Sequence, residues 1–182
     1  HLQWVDVPER TPEAHEVEIA VDSTGLNFRD VMYALGLLAD EALENGFSGP
    51  TLGLEFAGRI RRVGVAVTQW QVGDAVLGFA PASFSTRLIT SEQAITRIPE
   101  GLSMRAAATI PTVFLTAWYA LHTLAQLQAG EKVLIHGAAG GVGIAAIQIA
   151  RHLGAEIYAT AGSPQKRDFL RLLGVQHIYD SR

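Results

Sequence analysis

The stretch that most constrains the fold runs from Lys132 to Gly143 and reads Lys-Val-Leu-Ile-His-Gly-Ala-Ala-Gly-Gly-Val-Gly. A short apolar run, Val133-Leu134-Ile135, feeds the glycine turn Gly140-Gly141-Val142-Gly143, and a helix-like stretch from Ile144 to Leu153 follows at once. Strand, glycine turn and helix in that order make the layout that cradles a dinucleotide pyrophosphate. Backbone N–H groups at the helix start face the anion, and missing side chains let it come close. The strict G-x-G-x-x-G pattern would place a glycine at position 138, where this chain has Ala138. The competing reading is a tight structural turn, and the strand before it and helix after it weigh against that.

The tip of the next strand supplies a second test. Tyr158-Ala159-Thr160-Ala161 runs into Gly162-Ser163-Pro164-Gln165-Lys166-Arg167, roughly 20 residues beyond the glycine turn, where a dinucleotide site contacts the adenosine ribose. An acidic residue there binds the ribose 2′-hydroxyl; its absence, with basic residues nearby, admits a 2′-phosphate. No carboxylate lies between Glu156 and Asp168. The expectation is therefore NADPH rather than NADH, with Gly162, Ser163, Lys166 and Arg167 as contacts. The structural alternative is that Ser163 caps the next helix, Pro164 opens it, and Lys166 and Arg167 are solvated. His136 reads as a packed strand-end histidine, since nothing nearby in sequence pairs with it.

The first hundred or so residues read mostly as short strands with glycine punctuation. Candidates are 2–7, 17–21, 75–79 and 83–89, with two pieces split by a glycine across 58–67. Such a pattern suggests a small β-barrel or sandwich. One helix is expected over 28–38, followed by a loop through 39–50. Composition shifts near Pro99-Glu100-Gly101. Ser103 can cap a helix over 104–109 that Pro111 ends or kinks, and 113–128 reads as a longer amphipathic helix stopped by Gly130. Strand and helix then alternate over 132–136, 142–153, 155–161 and 164–173, with a last strand beginning at Gln176. That alternation implies a parallel sheet with right-handed crossovers. A doubly wound dinucleotide domain needs about six strands; the sequence holds two and the start of a third. The expectation is an incomplete sheet, in a segment excised from a longer polypeptide.

The formal net charge of −4 and pI near 5.8 argue against non-specific binding to nucleic acid or anionic lipid. No apolar run reaches membrane-spanning length. The absence of cysteine excludes disulfides and cysteine-based metal sites, and a cytoplasmic setting fits it. The six histidines, at 1, 15, 122, 136, 152 and 177, have no ligand-like spacing.

Three segments carry a family resemblance: Gly25-Leu26-Asn27-Phe28-Arg29-Asp30-Val31-Met32, Leu52-Gly53-Leu54-Glu55-Phe56-Ala57-Gly58, and Val133–Ala150 with Ala161-Gly162-Ser163 and Lys166-Arg167 behind it. Thr109-Ile110-Pro111 and Thr116-Ala117-Trp118-Tyr119-Ala120-Leu121 add to it. The chain resembles the medium-chain dehydrogenase/reductase superfamily, and within it the enoyl reductase domains of polyketide synthases and animal-type fatty acid synthases. The Ala-x-Gly-Gly-Val-Gly turn is a form that family uses. The resemblance implies a mixed β and α/β fold: a GroES-like β-barrel over 1–111, then the N-terminal half of a Rossmann domain over 112–182. It implies NADPH-dependent reduction of an enoyl thioester held on an acyl carrier protein. Hydride would go to Cβ, leaving an enolate that is protonated at Cα. Other synthase domains would be partners, a homodimer is left open, and neither nucleic acid nor membrane is expected.

By the same resemblance, Asn27 lies near the nicotinamide as the catalytic-site candidate, because its amide can both donate and accept. Thr116 would also contact the cofactor, beside Gly140, Gly141, Val142 and Gly143. Zinc alcohol dehydrogenases carry a cysteine near 27–30 and a Gly-His-Glu motif near Gly53-Leu54-Glu55; here Leu54 replaces that histidine, so no metal is expected. Tyr33 is a candidate proton donor, with packing as its commoner role. Arg29 and Asp30 read as a local ion pair, and Glu55 as a buried hydrogen-bonding partner. A free-standing zinc-free quinone oxidoreductase and a non-catalytic nucleotide-binding relative are the alternative functions.

Overall fold

A computed structural model describes residues 2–182. The chain divides into two compact units, one ending at Pro111 and the other spanning Thr112–Arg182.

The first unit is built on a five-stranded antiparallel sheet. Its strands are β1 (Glu16–Thr24), β2 (Glu55–Val63), β3 (Ala75–Phe79), β4 (Arg87–Ser91) and β5 (Ile95–Arg97), in the order β4-β1-β2-β3-β5. Between β1 and β2 lie two helices, α1 (Phe28–Ala34) and α2 (Asp40–Glu44); α3 (Met104–Ala107) follows β5. The period-2 alternation sorts side chains to two faces. Val17 and Ile19 of β1, Phe56 and Ile60 of β2, and Val76 of β3 share one core with Leu88 and Ile95. Ala57 and Leu77, opposite one another across β2 and β3, point the other way and pack with Ala107 and Ala108 at the end of α3. Full burial of side chains such as Phe56, Ile19 and Ile60 contributes about 1.5–3 kcal/mol each. Register shifts interrupt the β1–β2 ladder between Glu18 and Ile19 and again between Val21 and Ser23.

Several expected boundaries move. Residues 2–7 form no strand, although they alternate; Trp4 and Val7 are 82% and 72% exposed. Alternation alone forms no strand without a neighbour to receive its hydrogen bonds. The segment is fastened further on, where Arg10 forks onto Glu16 at 2.5 and 2.8 Å and Arg62 donates to the Arg10 carbonyl. The two pieces expected over 58–67 are one strand that starts earlier and stops before Gly64. The strand expected at 83–89 begins only at Arg87, and the loop after α1 holds the five-residue α2.

The second unit carries α4, which opens at the boundary (Pro111–Trp118), and a π-helical turn, Tyr119–Leu124. Then come β6 (Lys132–Ile135), α5 (Gly141–His152), β7 (Glu156–Thr160), α6 (Pro164–Leu172) and β8 (His177–Tyr179). The three strands are parallel, in the order β6-β7-β8. Pro111 does not end a helix as expected; it opens α4, where its missing N–H costs nothing. The helix expected over 113–128 instead changes to π pitch at Tyr119, and Trp118 stacks on His122 at 4.3 Å. Small residues on α5, Gly143, Ala145, Ala146 and Ala150, are buried with Ile147 and Ile149 against the sheet. Their size lets helix and strands lie close, which fixes the turn joining β6 to α5.

Candidate functional site

In the second unit the glycine turn sits at the carboxyl end of β6, the end at which parallel α/β sheets bind ligands. Gly137 takes φ +61°, in the left-handed region. Ala138 is fully buried, and its N–H donates to the Thr160 carbonyl at 3.0 Å, which ties the turn to the end of β7. Gly140 is the N-cap of α5 and offers no side chain to the helix start. The first N–H groups of a helix have no intrahelical partner, so those of Gly141, Val142 and Gly143 are available to an anion. A β-carbon at Gly143 would lie 2.6 Å from three backbone atoms of Ala138. Gly143 thus sets helix-to-strand packing, and Ala138 is accommodated because its methyl is buried. Bare backbone, helix-start N–H groups without intrahelical partners and a close helix fit a pyrophosphate. His136 is exposed rather than packed as expected, and its Nδ1 shares a hydrogen bond with Thr160 Oγ1, 3.1 Å away.

The tip of β7 brings Gly162, Ser163, Lys166 and Arg167 together at the start of α6. Ser163 Oγ caps the helix by accepting from the Lys166 N–H at 3.3 Å. Lys166 is exposed and has no ion pair among the described residues. Arg167 is committed elsewhere: its guanidinium donates to the Ala161 carbonyl at 2.8 Å and pairs with Asp180 at 2.9 Å. Sequence reasoning missed Asp180, together with Ser181 and Arg182. The signal was the parallel register. Thr160 faces Tyr179, and Ala161 N–H donates to the Tyr179 carbonyl, so residues 180–182 arrive beside 161–163. Lower in the sheet, Glu156 is held below the usual carboxylate range by the Tyr158 hydroxyl and by the charges of Lys132 and His177.

In the first unit Asn27 is the N-cap of α1 and is fixed at two points. Its N–H donates to Asp30 Oδ2 at 2.9 Å, and its side-chain Nδ2 donates to Glu55 Oε1 at 2.8 Å. Asp30, 1% exposed, also accepts from the Gly53 N–H at 2.8 Å. Glu55, 3% exposed, is fitted against Gly25, where a β-carbon would lie 2.3 Å from Oε1. Gly25, Asn27, Asp30, Gly53 and Glu55 therefore form one network, buried except at the half-buried Asn27, whose amide it fixes in place. Arg29 and Asp30 do not pair with each other. Arg29 donates to the carbonyls of Gly49 and Thr51 and holds the loop before β2. The Tyr33 hydroxyl donates to the Pro50 carbonyl at 2.7 Å, which places it in the same brace. Thr116 is an exposed residue of α4. Among the described residues no three His, Asp or Glu side chains converge as a metal site, and no helix is long and apolar enough to cross a membrane.

Two family models match. Residues 13–112 match the alcohol dehydrogenase GroES-like domain, and residues 141–182 match the zinc-binding dehydrogenase model. Among curated proteins, polyketide synthase GfsB of Streptomyces halstedii is 50% identical over 172 residues, covering 93% of this chain and 3% of that protein. Among solved structures, CurK enoyl reductase superposes with a TM-score of 0.92 at 50% identity, over 99% of this chain and 55% of that one. The quinone oxidoreductase of Coxiella burnetii superposes with a TM-score of 0.83 at 32% identity, over 96% of this chain and 56% of that one. The chain thus spans about half the length of these solved relatives and a small part of the synthase.

Proposed function

Because this chain belongs to the alcohol dehydrogenase GroES-like family, with a nicotinamide cofactor implied by that membership, we propose that it is part of an NADPH-dependent enoyl reductase of a polyketide synthase. The substrate would be a 2,3-unsaturated thioester carried on an acyl carrier protein, with neighbouring synthase domains as partners. The observation that carries this reading is the likeness to CurK enoyl reductase, equal in identity to the match with polyketide synthase GfsB and higher in identity and superposition than the likeness to the Coxiella burnetii quinone oxidoreductase.

The residues present do not fit a zinc ion. Leu54 stands where zinc members carry histidine, and the chain has no cysteine. No step is therefore routed through a metal. The glycine turn does fit a dinucleotide: Gly140 and Gly141 bare the backbone, Val142 and Gly143 complete the ring of N–H donors, and the helix end favours the pyrophosphate charge. Gly162, Ser163 and Lys166 would receive the adenosine ribose. When bound, the nicotinamide supplies the hydride that saturates the double bond at Cβ. Asn27 would hold the carboxamide or ribose through the part of its amide not used by Glu55, and Thr116 would be a second contact. A half-buried amide already held by Glu55 loses little on binding and so favours one reacting geometry. Tyr33 is assigned no proton transfer, since its hydroxyl braces Pro50.

The test is turnover by the full-length parent enzyme with crotonyl thioester and with quinones. Consumption of NADPH with the thioester supports the reading. Turnover of quinones alone would move the chain to the free-standing oxidoreductase.

A further inference from the structure

We propose that His136 is a further contact for the bound dinucleotide, an Nε2–H donor to its diphosphate that Thr160 holds in place. This rests on the dinucleotide reading above. His136 stands between the last residue of β6 and Gly137, at the carboxyl end of the parallel sheet. Ile135, one residue earlier, is buried in the core that packs α5 against the strands. Successive side chains of a strand point to opposite faces, so His136 leaves on the other face, where Leu134 is exposed too. The imidazole therefore fills no core. It stands open beside the turn whose first helical N–H groups have no intrahelical partner.

Thr160 fixes which ring nitrogen faces outward. It follows Ala159, which pairs with Ile135, and it is buried. It grips the entry to the turn twice. Its carbonyl accepts the Ala138 N–H at 3.0 Å, and its Oγ1 meets His136 Nδ1 at 3.1 Å. The hydroxyl makes no other hydrogen bond among the described residues. A buried hydroxyl proton without an acceptor is costly, so the hydroxyl donates to Nδ1, and the proton of the neutral ring lies on Nε2. Nε2–H then points away from Thr160 as an oriented donor, with no partner among the described residues. The acceptors that a dinucleotide brings to this end of the sheet are the oxygens of its diphosphate, which the start of α5 attracts. His136 is the group that touches the ligand, and Thr160 is a positioning residue acting through it.

The experiment is calorimetric titration of the full chain with ADP, which carries a diphosphate, and with AMP, which lacks the outer phosphate. Thermal unfolding of each variant checks that it is folded. His136→Ala is expected to weaken ADP about tenfold, the effect of losing one hydrogen bond to a charged group, and AMP less than about twofold. His136→Gln, which keeps a side-chain N–H donor, is expected to regain most of the ADP affinity. Thr160→Val keeps the carbonyl and the branched shape but removes the hydroxyl. It is expected to weaken ADP by an intermediate factor in the unaltered chain and to add nothing in the His136→Ala background, the mark of a residue acting through another. Unchanged ADP binding in His136→Ala, equal weakening of ADP and AMP, or a Thr160→Val effect that persists without the histidine overturns the assignment, while ADP binding by the unaltered chain keeps the dinucleotide reading. Failure of the unaltered chain to bind either nucleotide overturns both.

Discussion

Replacing Gly143 by alanine sets two physical effects against each other. A glycine in the first turn of α5 should gain about 1 kcal/mol from alanine's higher helix propensity. At Gly143 the new methyl would lie 2.6 Å from Ala138 C, Cα and O, whereas carbon atoms rest about 3.5–4.0 Å apart. The obstacle is backbone of a fully buried residue that is hydrogen-bonded to the end of β7, so it cannot swing aside as a side chain would. Helix and turn must separate by roughly 1 Å, and overpacking of this kind costs about 1–3 kcal/mol. The clash should offset or exceed that gain, leaving Gly143→Ala destabilised by up to about 2 kcal/mol and its dinucleotide affinity lowered at least tenfold, because the N–H groups move. Gly140→Ala is the contrast. It has φ −88° and meets only the Gly137 carbonyl at 3.3 Å, so it should cost less than about 1 kcal/mol as an N-cap change. It should still lose affinity, because its methyl stands where the pyrophosphate approaches. Chemical denaturation and NADPH fluorescence titration measure both quantities. A Gly143→Ala protein more stable than the unaltered one, as helix propensity alone would give, or a Gly140→Ala protein with unchanged affinity, would refute the reasoning.

Three further outcomes are expected. Glu55→Ala removes the partner of the half-buried Asn27 amide, a loss of about 1 kcal/mol by thermal unfolding, and should lower kcat of the parent enzyme more than it raises KM. Ser163→Ala removes the α6 cap and should cost about 1 kcal/mol of stability; a smaller loss than at an exposed non-cap serine would contradict the capping role. Glu18, 2% exposed, is held below its ordinary 4.5 by hydrogen bonds from Arg62, with desolvation opposing and the charges of Arg62, Arg61 and Arg87 adding. Its contribution is fully present above 4.5 and disappears as pH falls through the lowered folded-state value. Acid unfolding of Glu18→Gln should therefore depend less on pH in that acidic window than the parent does, and an equal slope would remove the argument.

The sequence shows most of the second unit. Apolar runs, a glycine turn and capping residues are local signals, and β6, α5, β7, α6 and β8 fall within a few residues of their expected ends. Ser103 and Ser163 cap the helices expected of them. What local pattern cannot show is which strand supplies a partner. Residues 2–7 alternate like a strand and remain without one. Arg29 and Asp30 look like neighbours in an ion pair, yet each turns to backbone some 20 residues away. The change of pitch at Tyr119 falls within one continuous helix-like pattern and leaves no mark in it. At the candidate site, the glycine turn is legible from residue type, whereas Asn27 enters by resemblance. The Glu55 contact, and the arrival of Asp180 and Arg182 beside Gly162, depend on register between elements far apart in sequence.

The most direct test of the account is isotopic. The full-length parent enzyme would reduce a trans-2-enoyl thioester with NADPH deuterated on the nicotinamide ring, and the product would be analysed by mass spectrometry and NMR. The account predicts one deuterium at Cβ and a solvent-derived proton at Cα. Deuterium at Cα, or a saturated product with no deuterium from the cofactor, would contradict it.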